Sequence, residues 1–191
     1  MAVLLLGLVL FLGAHSTRIF AEGARQRWIA RMGEMPYKGI YTVVSLIGFV
    51  LVVWGYGLAR QQPVLLWTPP RAMNHVAALL VLVSFVLLVA AYVPRNAIKA
   101  KLHHPMVLGV KAWALAHLLA NGTLADVVLF GAFLLWAALS FRAARQRDRA
   151  GHVRYAASTA GATVSTLAIG LVAYGVFALW LHVWLIGVRP F

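Results

Sequence analysis

Few side chains in this sequence have chemistry to offer, and most of those that do stand where lipid would be expected. His15 lies late in the apolar run "FLGAHSTRI", while Lys111 and His117 both lie in the run "KAWALAHLLANG". His103 and His104 belong to "KLHHPMVLG", where Pro105 suits the first turn of a helix because its missing N–H costs nothing there. A neutral imidazole is a metal ligand, and two of them on different helices can supply both axial ligands of a haem iron between apolar helix faces. The same ring also serves as a packing donor. Read that way, His15 bonds Ser16, Thr17 or a neighbouring carbonyl, and His117 bonds Asn121 one turn on. His103 and His104 then mark the membrane surface at a helix start, or His104 binds a ligand at that edge. Lys111 snorkels or pairs within the bundle, with Asp126 as a distant partner. Six residues separate Lys111 from His117, so the two point to different faces of one helix. His75, His152 and His182 read as structural.

Other chemistries find no support. The chain has no cysteine, which excludes disulfides, thiolate metal sites and a cysteine nucleophile. Its four acids, Glu22, Glu34, Asp126 and Asp148, form no carboxylate pair inside an apolar run. No glycine-rich phosphate loop and no H-E-x-x-H motif is present. Hydrolase chemistry is therefore unsupported.

The elements that must position these residues follow from composition. Of the 191 residues 63% are hydrophobic and only 11% charged, far from the near-even apolar share and quarter charged of soluble domains. The fold class this implies is all-α: a polytopic transmembrane bundle forming a single domain. A span needs about 20 apolar residues. Six are read, at 2–20, 39–59, 73–93, 105–120, 123–141 and 160–188. The fourth is short and carries Lys111, and "NGT" at 121–123 suits a tight hairpin between the fourth and fifth. No basic residue precedes the first apolar run and no A-x-A site follows it, so it reads as a retained span and not a signal peptide.

The net charge of +13 is concentrated between spans. Of 17 Lys and Arg, thirteen fall in the first, third and fifth connections, which places those connections in the cytoplasm and both termini outside. Trp54, Tyr56, Trp67, Trp180 and Trp184 would form the outer aromatic belt, with Trp28, Tyr37 and Tyr41 at the inner one. The positive charge suits an anionic leaflet. No basic face with interleaved stacking aromatics suggests nucleic acid.

Four stretches together carry a family resemblance: "LFLGAHSTRI" at 10–19, "KGIYTVVSLIGFVLVVWGYGLAR" at 38–60, "VLLWTPP" at 64–70 and "HHPMVLGVKAWALAHLLANG" at 103–122. They resemble the NnrU family, bacterial membrane proteins linked to denitrification and to nitrite and nitric oxide reductase function. The resemblance covers about residues 1–141, and the sequence from Arg142 onward is less distinctive. It implies an inner-membrane location and nitrogen-oxide respiration enzymes as partners. The family is similar in turn to plant zeta-carotene isomerase, which uses a b-type haem. Carried over, that enzyme's two proposed haem ligands fall on His15, followed by Ser16, and on His117, preceded by Trp113 and Ala116. Its alternative cysteine ligand falls on Ala114, which removes ligand exchange and argues against isomerase activity.

Helix geometry adds a second pairing. At about 1.5 Å per residue His15 lies about 8 Å from the cytoplasmic end and His117 about 20 Å, a mismatch of about 12 Å. His104 matches His15 better, so His15 with His104 is the alternative ligand pair. Two further functions remain: a cofactor-free scaffold or transport component, and a methyltransferase, since the His-Pro helix start resembles isoprenylcysteine methyltransferases.

Overall fold

The computed structural model describes residues 1–190, and the chain in it is helical. In order come α1 (Ala2–Phe20), α2 (Glu22–Met32), α3 (Glu34–Ala59), α4 (Ala72–Tyr92) and α5 (Ala97–Leu102). Then follow α6 (Pro105–Ala120), α7 (Leu124–Ala150), α8 (Ala160–Val176) and α9 (His182–Ile186). A π-helical turn, Phe177–Leu181, joins α8 to α9 in one rod. Among the described residues, five helices are long and apolar enough to cross a membrane: α1, α3, α4, α7 and the α8–α9 rod. α6, at 16 residues, is shorter.

The bundle is apolar outward and partly polar inward. Leu46, Val50, Leu79, Leu135, Val164 and Val172 stand exposed along the rods, whereas Ser84, Asn96, Asp126 and Thr166 are buried. That inversion is expected where lipid is the solvent, because apolar surface then gives no drive to associate and close backbone approach must. Gly48 of α3 lies so close to α1 that a Cβ there would stand 2.6 Å from the Phe11 nitrogen. Gly55 and Gly7 likewise face the Leu4 and Val52 backbones. Between α4 and α6, the buried Ser84 hydroxyl donates to the Gly109 carbonyl at 2.8 Å. Gly170 of α8 lies against Val86 of α4.

Neighbouring helices thus form a row in the order α3, α1, α7, α6, α4, α8. α6 packs between α7 and α4. Its far end reaches the α3–α4 connection, where Leu66 and Trp67 donate to the Gly122 carbonyl at 2.8 and 3.2 Å and Leu124 donates back to Val64 at 2.8 Å. A Cβ on Gly122 would run into the Trp67 carbonyl oxygen, so only glycine fits that turn.

Several connections expected as loops are helical. The first is α2, an exposed helix carrying Arg25, Arg27 and Arg31 with Trp28, the composition of a helix lying in the bilayer interface. The third contains α5, whose N-cap Asn96 is fully buried and bonds Ala90, Val93 and the Lys99 N–H. The helix expected to end at 141 continues to Ala150, so Arg142, Arg145, Arg147 and Arg149 stand on α7. Helix propensity and charge near the C-terminal dipole favour that extension.

Candidate functional site

His15 sits four residues above Phe11, and its Nδ1 lies 2.7 Å from the Phe11 carbonyl. A carbonyl only accepts, so the imidazole donates from Nδ1, and in the neutral tautomer this leaves the lone pair on Nε2. The ring is held by Phe11 at 4.3 Å, Tyr41 at 5.2 Å and Trp136 at 6.1 Å between centroids. Neither Ser16 nor Thr17 is its partner; the Thr17 hydroxyl bonds the Ala14 carbonyl instead.

His117 repeats the arrangement near the opposite end. Its Nδ1 donates to the Trp113 carbonyl at 2.9 Å, and its ring stacks on Phe130 at 4.5 Å. Asn121 bonds the His117 backbone carbonyl and not the ring. The two histidines therefore share one tautomer but not one site. His15 lies level with Trp136 and His117 with Phe130, six residues apart along α7 and so about 9 Å in depth. Phe11, Phe133 and Trp113 link them in a chain of ring contacts at 5.8 and 5.4 Å.

The structure does bring His15 and His104 together. Both line a cavity of about 390 Å³ between α1, α6 and α7, within the range of small-molecule sites. Arg18 and Arg147 stand beside them, with Ile19, Val107 and Ala144 as apolar wall. His104 Nε2 is 2.8 Å from Asp148 Oδ2, an orienting carboxylate of the kind that sets a ligating imidazole's tautomer. Tyr155 donates to the same oxygen at 2.9 Å. Burial, and then that bond, push the Tyr155 hydroxyl up to about 12, so it remains a donor at neutral pH. His103 stacks on Tyr155 at 4.2 Å and accepts from Arg145 at 2.6 Å. This cluster was not legible in sequence, because Asp148 lies 44 residues from His104 and reaches it only through the extension of α7.

Asp126 is not the partner of Lys111. Its carboxylate accepts from the Tyr56 hydroxyl at 2.6 Å and from the Thr123 hydroxyl and N–H at 2.6 and 3.0 Å. The Thr123-x-x-Asp126 spacing is a capping box, a signal present in the sequence. Tyr56, expected in the outer belt, is partly buried against the core, where its hydroxyl reaches Asp126. Lys111 lies over the Phe141 ring, 5.8 Å from its centroid. We predict that Asp126→Ala lowers stability by roughly 2–3 kcal/mol, since it strands the Tyr56 and Thr123 donors. Denaturant titration in detergent against Tyr56→Phe tests this: equal losses would mean that the tyrosine bond alone matters.

Among the described residues, no group of three or more metal-binding side chains is present. The cavity lining offers two imidazoles, two guanidiniums, the Asp148 carboxylate, the Ser140 hydroxyl and apolar walls, a set in which two imidazoles could hold a haem. Ala114, three residues before His117, is completely buried.

A protein-family model described as "NnrU protein" matches residues 3–190. The match extends through the α8–α9 rod, so the part beyond Arg142, less distinctive as sequence, is within the family's pattern. No curated protein and no solved structure matches the chain.

Proposed function

The chain belongs to the NnrU family, and from that premise we propose a haem-binding protein of the bacterial inner membrane that supports denitrification. Its role is electron transfer to, or assembly of, the enzymes that reduce nitrite and nitric oxide. The observation that carries the haem is the cavity shared by His15 and His104. There His15 offers Nε2 with its proton already committed to Phe11, and His104 is oriented by Asp148. Arg18 and Arg147 would hold the acidic substituents, while Ile19 and Val107 exclude water. A haem held by these two histidines would supply one-electron transfer.

The accompanying topology has six crossings, α6 among them, and both termini outside. Arg147 bonding the Arg18 carbonyl, and Arg145 bonding His103, gather the basic connections at one end of the bundle, in support of that end facing the cytoplasm. The cysteine-free sequence permits a direct check. Gln61→Cys will react with an impermeant maleimide on spheroplasts, and Ser158→Cys only after permeabilisation. The reverse pattern would invert the topology.

The test of the function is an absorption spectrum of protein purified in mild detergent from haem-sufficient cells, as isolated and after dithionite. A Soret band with sharp reduced α and β bands is expected. A flat visible spectrum after haem addition would overturn the cofactor and leave a scaffold as the better account.

A further inference from the structure

A second hollow lies on the other side of α7. About 650 Å³ in volume, it is bounded by Lys101 and Leu102 of α5, Leu108 of α6, and the last three turns of α7. Arg142, Arg145 and Arg149 are spaced three and four residues apart, so they share one face of α7 and line this groove. With Lys101 they make four cations, and among the described residues no carboxylate lines the groove. Asp148, the nearest acid in sequence, is committed to His104 and Tyr155 on the adjoining face. Arg145 spends one N–H on His103 and keeps its others.

The cationic rim adjoins an apolar wall of Leu102, Leu108 and Phe141. Beyond it Lys111 leans over Phe141, and it is in none of the ion pairs among the described residues. Like charges crowded without counter-charge beside an apolar wall call for a ligand that is anionic at one end and hydrocarbon at the other. A soluble anion would use the rim and leave the wall bare.

We propose that this groove between α5, α6 and α7 is a specific site for an anionic phospholipid. Arg142, Arg145, Arg149 and Lys101 hold the phosphate diester, and an acyl chain lies along Leu102, Leu108 and Phe141. Basic pockets between helices at the membrane surface are the usual form of such sites. The proposal is independent of haem, since none of these side chains lines the His15 cavity.

Native mass spectrometry of the full chain, released from micelles doped with phosphatidylglycerol or phosphatidylethanolamine, tests it. The wild type should retain phosphatidylglycerol preferentially, and Arg142→Gln with Arg149→Gln should weaken that retention about thirtyfold. Arg27→Gln with Arg31→Gln on α2 removes the same charge elsewhere and should leave retention unchanged. An unchanged helical circular-dichroism signal and melting temperature will show that both double variants fold; if the groove variant does not, Leu108→Trp, which fills the wall without touching charge, takes its place. An equal loss in the α2 variant would overturn the proposal in favour of diffuse surface charge. Displacement of the lipid by millimolar inorganic phosphate would overturn it in favour of a soluble-anion site, and equal retention of the two lipids would overturn it outright.

Discussion

His15→Ala will abolish the Soret band of the purified protein while leaving its helical circular-dichroism signal in place. The expectation follows from how the ring is held. Its Nδ1 donates to the Phe11 carbonyl, which in the neutral ring leaves Nε2 as the nitrogen able to bind iron. Phe11 and Tyr41 fix the ring plane, so little rotamer freedom is lost on ligation. Alanine leaves an imidazole-sized gap, and added imidazole should restore part of the band; a merely structural histidine would show no such rescue. His104→Ala will convert a six-coordinate spectrum to a five-coordinate one, and Asp148→Asn will weaken haem retention by about 10–100-fold, the usual cost of losing an orienting carboxylate. His117→Ala will leave the spectrum intact and reduce stability, because it removes the ring stacked on Phe130. Should His117→Ala erase the band while His104→Ala spares it, the ligand pair would be His15 with His117, and the aromatic chain between them would have to open.

The largest effect on folding is expected at Gly55. A Cβ there would overlap the Leu4 backbone nitrogen, and the neighbouring atoms are main chain, which cannot swing aside as a side chain could. Gly55→Leu will therefore push α3 away from α1 along their whole contact, breaking the approach made at Gly48 and Gly7 as well. The cost should be roughly 3 kcal/mol or more, the upper end for overpacking. It will appear as a lowered midpoint in denaturant titration in detergent. Gly57, only two residues on, has nothing within 4 Å of its would-be Cβ, so Gly57→Leu should be close to neutral. Similar losses at both positions would mean that helix propensity, and not α1–α3 contact, sets the cost. Because α1 also carries His15, Gly55→Leu should weaken haem retention too, whereas Gly57→Leu should not.

The sequence alone determined the class and the rough extent of the helices. Long apolar runs with few charges leave the backbone no partner but itself in lipid, so helices follow from composition without knowledge of any contact. Pro105 and the Asn121–Thr123 turn bounded α6 at both ends, because helix starts and stops are local chemistry. His15 and His117 stood out because a polar ring in an apolar run is costly wherever it points, and His104 because it stands at the proline-marked start of a helix. Which of them meet was a different kind of fact. The extension of α7 to Ala150 carries Asp148 to His104 and draws His15 and His104 around one cavity, while the offset between α1 and α6 leaves His117 about 9 Å away in depth. Tyr56 and Asp126 pair across 70 residues for the same reason. Register between helices depends on where glycines such as Gly7, Gly48 and Gly55 let two backbones touch. That is a property of pairs of surfaces, and no single helix encodes it.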